Sequence, residues 1–179
     1  MKIKNKHYFL IAGEASGDLH GAELMNELKK INDSIVFSGL GGIKMEECGL
    51  SSLAPIQKLA VMGFWEVLKK YTFFLNLQKK VLNHIVQSKP DKIILIDYPG
   101  FNLRIAKKIK EKFNIPIFYY ISPQVWAWKE KRINDLKKYV DSLIVIFPFE
   151  VDWFAQRNMK VQYFGHPLID QWKKLKINT

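Results

Sequence analysis

The hydrophobic pattern alternates between two kinds of segment along the chain. Short, nearly uninterrupted apolar runs predict buried strands at 7–12, 35–39, 50–55, 92–96, 116–121, 142–146 and 161–164. Apolar residues at helical spacing predict helices at 16–31, 45–48, 61–88, 101–113, 130–139 and 150–157, the third broken near Tyr71 and Thr72. This alternation favours an α/β fold with a doubly wound, Rossmann-like parallel sheet. One domain is expected over 1–168, with 169–179 as the start of a hinge or tail.

The fourth predicted strand ends in an acidic residue. The apolar run from Ile93 to Ile96 is followed by Asp97, and Pro99 and Gly100 then break the strand before the next helix. A carboxylate at the carboxyl end of a central parallel strand lies where ligands bind in open α/β sheets. We therefore interpret Asp97 as a candidate catalytic base. The spacing leaves open the alternative that Asp97 caps the following helix, because Asp is a favoured capping residue.

The charge balance narrows the set of expected partners. The chain of 179 residues has 28 Lys and Arg against 17 Asp and Glu, a formal net charge of +11. This surplus favours an anionic partner: nucleic acid, a phosphorylated substrate or an anionic membrane surface. The single cysteine excludes an internal disulfide, and no apolar window approaches the ~20 residues of a membrane span. A cytoplasmic protein that can still associate with a membrane surface is expected.

The turn between the first strand and the first helix contains Gly13, Glu14, Ser16, Gly17 and Asp18. Glycines there let backbone N–H groups approach a ligand, and the amino end of a helix favours anions. The turn is neither a G-x-G-x-x-G sequence nor a P-loop. Its two acids favour hydrogen bonding to sugar hydroxyls over a phosphate cradle. The alternative is a plain tight turn with Ser16 or Asp18 as the helix cap.

Residues 61–77 hold more apolar and aromatic side chains than one amphipathic helix face needs. Lysines beside aromatic rings suit the boundary of lipid headgroups, and an apolar groove here could take acyl chains. The alternative is an ordinary core helix. The candidate membrane or acyl contacts are Met62, Phe64, Trp65, Leu68, Phe73 and Phe74.

Polar residues and tryptophans follow the fifth predicted strand. Ser122, Gln124 and Trp126 lie where sheet ligands bind, and Trp with Gln suits stacking and hydrogen bonding to a sugar. The interleaved basic residues could also bind single-stranded nucleic acid, although no nucleic-acid-binding motif supports that interpretation. The four histidines lack metal-ligand spacing and no G-x-S-x-G elbow is present, so a metal centre and a hydrolase triad have little support.

Seven short motifs, taken in order, resemble those of the lipid-A-disaccharide synthase family. They are AGEASGD at 12–18, GLGG with the following Met45, VMGFWEVL at 61–68, IDYPGFN at 96–102, ISPQVWAW at 121–128, FPFE at 147–150 and GHPL at 165–168. The resemblance covers nearly the whole chain, and the ordered set is far more specific than any one motif. It implies the amino-terminal half of a two-domain glycosyltransferase B fold.

The resemblance also implies an activity and a site. The family joins 2,3-diacylglucosamine, from its UDP derivative, to the 6-hydroxyl of 2,3-diacylglucosamine 1-phosphate, with inversion, on the cytoplasmic face of the inner membrane. Asp97 matches the family's proposed base. The 13–18 turn and the 122–126 loop, with Asn102, would line the acceptor side, and residues 61–74 would hold acyl chains or touch the bilayer. No metal or other cofactor is expected, because this fold usually offsets diphosphate charge with side chains and helix amino ends.

In that family a second Rossmann-like half carries most of the UDP-sugar site. The 179 residues are therefore expected to be the acceptor half, with little activity unless a carboxyl-terminal half is supplied separately. Nucleic acid is not an expected partner under this interpretation. Two alternatives stay open: another UDP-sugar enzyme such as an epimerase, and a non-catalytic α/β domain that binds lipid or nucleic acid through its basic surface.

Overall fold

A parallel sheet organises the fold, and the computed structural model describes residues 5–55, 67–169 and 172. The strands are β1 (His7–Ala12), β2 (Val36–Gly41), β3 (Leu50–Pro55), β4 (Lys92–Ile96), β5 (Ile117–Tyr120), β6 (Ser142–Val145) and β7 (Gln162–Tyr163). The helices are α1 (Ala15–Ile31), α2 (Ile43–Glu47), α3 (Val67–Ser88), α4 (Pro99–Lys112), α5 (Ile133–Tyr139) and α6 (Pro148–Ala155), with a 3-10 turn at Glu130–Arg132. The sheet order is β3-β2-β1-β4-β5-β6-β7, and every pairing is parallel. The predicted α/β fold class is confirmed.

The strand order reverses between β1 and β4. The chain winds outward from β1 to β2 and β3, and then outward on the other side from β4 to β7. In such sheets the helices that follow the two central strands leave on opposite faces, which opens a crevice at the carboxyl edge. The register aligns Ala12 with Ile96 and Ile96 with Tyr120. The loops that follow β1, β4 and β5 therefore leave the sheet side by side.

Both faces of the sheet are buried, as uninterrupted apolar strands require. In β1, Phe9 and Ile11 join the core on one face, whereas Tyr8, Leu10 and Ala12 join the core on the other. The first face is covered by α3, α4, α5 and α6, and the second is covered by α1 and α2. The predicted inward stripes are confirmed for Leu77, Val81 and Ile85 of α3 and for Leu103, Ala106 and Ile109 of α4.

Two predicted helices differ in continuity from the observed ones. The helix α3 runs without interruption from Val67 to Ser88, so the predicted break near Tyr71 and Thr72 is wrong. Aromatic and β-branched residues cost a helix less than about 1 kcal/mol each, whereas sharp breaks need proline, glycine or an inserted group. The segment predicted at 130–139 divides into the 3-10 turn and α5. Residues 61–66 of the third predicted helix lie outside the described residues.

Candidate active site

Asp97 lies at the centre of the carboxyl edge of the sheet, immediately after β4. Its backbone φ is +44° and that of Tyr98 is +48°, so two consecutive residues other than glycine adopt left-handed conformations. Such residues cost about 1–3 kcal/mol each and persist only where the surrounding structure fixes them. Because strain of this kind concentrates at functional sites, the turn after β4 is a candidate for chemistry.

Two buried side chains hold the backbone of this turn. The Asn102 amide Nδ2 donates to the carbonyl oxygen of Asp97 at 2.7 Å and to that of Ile96 at 3.2 Å. The Tyr119 hydroxyl donates to the same Asp97 carbonyl oxygen at 2.6 Å. Asn102 is fully buried, so these contacts make it a support for the turn. Its predicted contact with substrate stays a prediction.

The Asp97 carboxyl group is placed and tuned to accept a proton. The structure puts Tyr98, not Asp97, at the N-cap of α4, which does not support capping as the role of Asp97. Burial raises the pKa of Asp97 above its ordinary value, and the hydrogen bond from the Tyr98 backbone and the charge of His20 oppose this rise. The side chain is nevertheless partly exposed. A raised pKa makes its carboxylate a stronger base than that of an exposed aspartate.

The turn after β1 packs directly against the turn after β4. A Cβ atom on Gly13 would lie 2.2 to 2.6 Å from three atoms of the Tyr98 ring, so only glycine fits there. Glu14 and Ser16 are exposed on the same turn. Burial raises the pKa of Tyr98, and the negative charge of Glu14 raises it further. The structure therefore brings the exposed polar groups of the 13–18 turn next to the candidate base.

Gly17 and Asp18 face inward from the same turn. A Cβ atom on Gly17 would lie 3.3 Å from the nearest atom of β1, so α1 approaches the sheet closely. Asp18 is buried; its Oδ1 accepts the N–H groups of Gly42 at 2.8 Å and Met45 at 3.0 Å, and its Oδ2 accepts that of Lys44 at 3.1 Å. These bonds satisfy the amino end of α2. They give Asp18 a structural role, and substrate contact by Gly17 and Asp18 stays a prediction.

The loop after β5 brings the third predicted group of residues to the same edge. Ser122 is buried, Trp126 is half-buried and Gln124 is exposed. The indole Nε1 of Trp126 donates to Oε1 of Glu150 at 3.2 Å. Glu150 is fully buried, and its other carboxylate oxygen accepts two backbone N–H groups at the start of α6. Glu150 therefore fixes the orientation of the Trp126 ring.

A row of rings extends from Trp126 along the edge. The ring centroids of Trp126 and Phe149 lie 5.0 Å apart, those of Phe149 and Phe147 5.7 Å, and those of Phe147 and His166 5.5 Å. Phe149 remains 48% exposed. The charge of His166 in turn lowers the pKa of His20 on α1. The row therefore extends from the loop after β5, past the start of α6, to His166.

The predicted membrane or acyl contacts are only partly within the described structure. Met62, Phe64 and Trp65 lie outside the described residues, and so does the side chain of Leu68 in α3. Phe73 and Phe74 are half-buried and pack against the main core, with their ring centroids 5.8 Å apart. Both rings thus contribute to the core while keeping exposed surface. Their contact with lipid stays a prediction.

An apolar cavity of 340 Å³ lies apart from Asp97, on the sheet face that α1 and α2 cover. Its walls include Leu24 and Leu28 of α1 and the side chains of Ile94, Phe118 and Tyr120. Asp97 does not line this cavity, so we do not assign it to the reaction.

Neither a metal site nor a membrane span is found in the part of the chain that the structure describes. No three His, Cys, Asp or Glu side chains among those residues are arranged to hold a metal ion. No helix within the same ranges is long and apolar enough to cross a membrane.

Several residues of the site were not predicted from the sequence. Tyr98 lies in the motif IDYPGFN and Glu150 lies in the motif FPFE, but nothing in the sequence pattern indicated a role for either side chain. His20 and His166 carried no metal-ligand spacing, so the sequence favoured a structural interpretation. Tyr119 lies within the apolar run of β5. The neighbouring sequence does not predict that its hydroxyl reaches the Asp97 carbonyl oxygen.

Comparison with known proteins points to one family. The model of the family described as lipid-A-disaccharide synthetase matches residues 8–179. A lipid-A-disaccharide synthase of Coxiella burnetii (strain Dugway 5J108-111) is 42% identical over 166 residues, which is 93% of this chain and 44% of that protein. Lipid-A-disaccharide synthase 1 of Legionella pneumophila (strain Philadelphia 1) is 42% identical over 89% of this chain. A synthase of Trichlorobacter lovleyi is 41% identical over 92%. The chain spans less than half the length of these curated relatives.

Proposed function

Because the chain belongs to the lipid-A-disaccharide synthase family, we propose that residues 1–168 form the acceptor-binding domain of a glycosyltransferase of lipid A biosynthesis. The donor is UDP-2,3-diacylglucosamine and the acceptor is 2,3-diacylglucosamine 1-phosphate, joined through a β-1,6 linkage with inversion. We assign the UDP-sugar to the part of the family's length that this chain does not span, with 169–179 leading toward it. The coverage of 44% of a relative's length supports this division.

Asp97 carries the proposal. The acceptor's 6-hydroxyl gives its proton to the Asp97 carboxylate while its oxygen forms a bond to the anomeric carbon of the donor. The bond from that carbon to the UDP oxygen breaks, and UDP leaves with the electron pair. The single observation in support is a partly exposed carboxyl group with a raised pKa, held on a fixed backbone at the switch point of the sheet.

The acceptor sugar lies among the groups around Asp97. Glu14, Ser16 and Gln124 are exposed and suit hydrogen bonds to hydroxyl groups, and the Trp126 ring suits stacking on the sugar face. Four further residues of the predicted set shape this surface from below. They are Gly13, Gly17, Asn102 and Ser122, all buried. The oriented indole of Trp126 supports a binding surface that is formed before the acceptor arrives.

The protein acts at the surface of the inner membrane, on its cytoplasmic face. The net charge of +11 supports attraction to an anionic surface. The sequence of α3 contains four lysines and no acidic residue. Sedimentation with phosphatidylglycerol vesicles, and not with phosphatidylcholine vesicles, is the expected result. Equal sedimentation with both would contradict an electrostatic attachment.

The test of the activity is disaccharide formation from the two diacylated substrates, followed by mass spectrometry. It uses the protein expressed from its whole reading frame. Asp97→Asn is expected to lower kcat by about 10² to 10⁴ fold, the usual contribution of a positioned base. Asp135→Asn, which changes an exposed aspartate on α5, is expected to keep the wild-type rate. Asp97→Asn with the wild-type rate and pH profile would disprove the base assignment, and no product from the wild type would disprove the activity.

A further inference from the structure

We propose that the cleft between α3 and α4 binds one acyl chain of the acceptor glycolipid and that the Arg104 guanidinium holds its phosphate. This inference rests on the proposed function and locates two parts of the acceptor that the Asp97 turn does not account for. The cleft has a volume of 220 Å³. Sites that enclose a whole drug-sized ligand have roughly 300–1,000 Å³, so this cleft is sized for one chain and not for the whole glycolipid.

Aromatic rings form the apolar walls of the cleft. The Phe101 ring centroid lies 6.2 Å from that of Phe74 on α3 and 6.1 Å from that of Tyr98. Phe101 is buried, whereas Phe74 and Tyr98 are half-buried and keep exposed surface toward the cleft. An acyl chain that covers this surface gains about 25 cal/mol per Å² of apolar area removed from water. Because Tyr98 directly follows Asp97, the cleft opens beside the candidate base.

Gly100 leaves the mouth of the cleft open. No atom of the described residues would lie within 4 Å of a Cβ atom at Gly100. Gly13 and Gly39 differ, because Cβ atoms there would collide with the Tyr98 ring and with the Leu10 carbonyl oxygen. Packing among the described residues therefore does not explain the glycine at 100. What its missing side chain preserves is empty space in front of the aromatic walls.

The charge around the cleft suits a phosphate monoester. Arg104 follows Gly100 by one helical turn and is exposed, and its guanidinium has no carboxylate partner within the described ranges. The helices α3 and α4 together carry nine Lys and Arg and one acidic residue, Glu111, which pairs with Lys107. A guanidinium can donate hydrogen bonds to two phosphate oxygens at once. An anionic amphiphile therefore fits this cleft better than a neutral one.

A buried polar side chain, Gln78, also lines the cleft. Gln78 is buried on α3, and its Oε1 accepts a hydrogen bond from the Lys108 ammonium of α4 at 2.7 Å. This bond links α3 to α4 beside the cleft. The cleft is therefore a fixed gap between two tied helices, with one free cation at its rim among the residues that the structure describes.

The test measures binding of decyl phosphate, decanol and inorganic phosphate to the 179-residue chain, each below its aggregation concentration. Calorimetry gives the Kd, and the backbone amide signals of Gly100 and Phe101 report the location by NMR. Arg104→Gln is expected to weaken decyl phosphate binding about tenfold, the loss of one charge-assisted contact. Gly100→Leu places an apolar side chain at the mouth, where an added Cβ meets no described atom within 4 Å, and is expected to abolish binding while the fold is kept. Lys112→Gln, the same charge change at the far end of α4, is expected to leave the Kd unchanged.

The result that overturns the inference is specific. Unchanged decyl phosphate binding in either Arg104→Gln or Gly100→Leu would disprove the site. Decanol that binds as tightly as decyl phosphate would disprove the role of Arg104, and inorganic phosphate that binds as tightly would disprove the acyl chain. The assay measures the binding of a phosphate ester and includes no glycosyl transfer, so its result does not depend on the assignment of Asp97 as the base. The binding proposal for the cleft can thus be disproved while the transferase proposal stands, and the transferase proposal can be disproved while the cleft proposal stands.

Discussion

His20 on α1 and Asp97 after β4 lie close enough for the charge of each to shift the pKa of the other. Burial dominates for both side chains: it lowers the pKa of His20 and raises that of Asp97. The two charges oppose burial, since each favours the ionised form of the other. The packing explains the proximity, because Gly21, next to His20, lies so close to β4 that a Cβ there would be 3.1 Å from Ile96 Cδ1.

The first prediction concerns the pH dependence of the reaction. Protonated His20 favours the Asp97 carboxylate, so His20→Gln is expected to raise the pKa of Asp97 further. The acidic limb of kcat/KM then moves to higher pH, while the rate at high pH, where His20 is neutral, changes little. The measurement is a pH–rate profile of the protein expressed from its whole reading frame.

The matched variant for this experiment is His166→Gln. His166 lowers the pKa of His20 and Glu23 raises it. Removing His166 therefore keeps His20 protonated to higher pH and is expected to move the acidic limb in the opposite direction. Shifts of the same sign in both variants would contradict the electrostatic explanation.

The second prediction concerns the cost of keeping a carboxylate at position 97. Because burial raises the pKa of Asp97 in the folded state, the folded protein binds more protons than the unfolded chain just above the ordinary pKa. Stability therefore falls as the pH rises through this window, and the loss persists at neutral pH. Asp97→Asn keeps a residue that tolerates a positive φ and removes the charge. It is expected to raise the free energy of unfolding at pH 7 by about 0.5–2 kcal/mol.

The measurement for Asp97→Asn is urea unfolding at pH 7 and at pH 4. The advantage of the variant is expected to shrink at pH 4, where the wild-type carboxylate takes up a proton. Asp33→Asn, at an exposed position in a turn, is the control and is expected to change little at either pH. A variant at position 97 that is less stable than wild type at pH 7 would contradict the pKa direction.

Much of this site could be predicted from the sequence, because a parallel sheet places the loops after its strands at the same edge. Uninterrupted apolar runs gave most strands to within one or two residues, and the carboxyl ends of β1, β4 and β5 then have to meet. The proximity of the 13–18 turn, Asp97 and the loop after β5 was therefore predictable. No knowledge of side-chain geometry was needed for it.

The roles of individual side chains were less predictable, because they depend on distant partners. Asp18 looked like a cap for its own helix or a sugar ligand, yet its carboxylate binds N–H groups 24 or more residues later, at the start of α2. The left-handed conformation of Asp97 depends on Asn102 and on Tyr119 from another strand. Local patterns contain no information on either contact.

The third prediction tests the contact between Gly13 and Tyr98. In Gly13→Ala the new Cβ would lie 2.2 Å from the nearest ring atom, so the ring has to move. Overpacking of this kind costs about 1–3 kcal/mol. In Gly100→Ala the new Cβ meets no described atom within 4 Å, so this variant is expected to be neutral or slightly stabilising. In a double-mutant cycle, Tyr98→Ala is expected to relieve most of the cost of Gly13→Ala in urea unfolding; additive losses would contradict the contact.

The fourth prediction concerns a polar cluster at the other end of the sheet. The Ser38 hydroxyl lies 2.7 Å from His7 Nε2 and 3.0 Å from His84 Nε2. Burial lowers the pKa of His84, and the nearby charge of His7 lowers it further. The unfolded chain therefore binds more protons than the folded protein below the ordinary pKa of 6.5. Stability is fully present above this pH and is lost as the pH falls toward the folded-state pKa of His84.

His84→Gln separates this effect from general acid unfolding. Glutamine keeps a hydrogen-bonding group beside Ser38 and cannot take up a proton at mild pH. The free energy of unfolding of the variant is expected to depend less on pH between 6.5 and 5 than that of the wild type. The pKa of His20 is also lowered, so His20 still contributes to the pH dependence of the free energy of unfolding in His84→Gln. This pH dependence is expected to be weaker still when His20→Gln is combined with His84→Gln. Parallel curves for the wild type and His84→Gln would show that the Ser38 cluster does not couple protonation to folding.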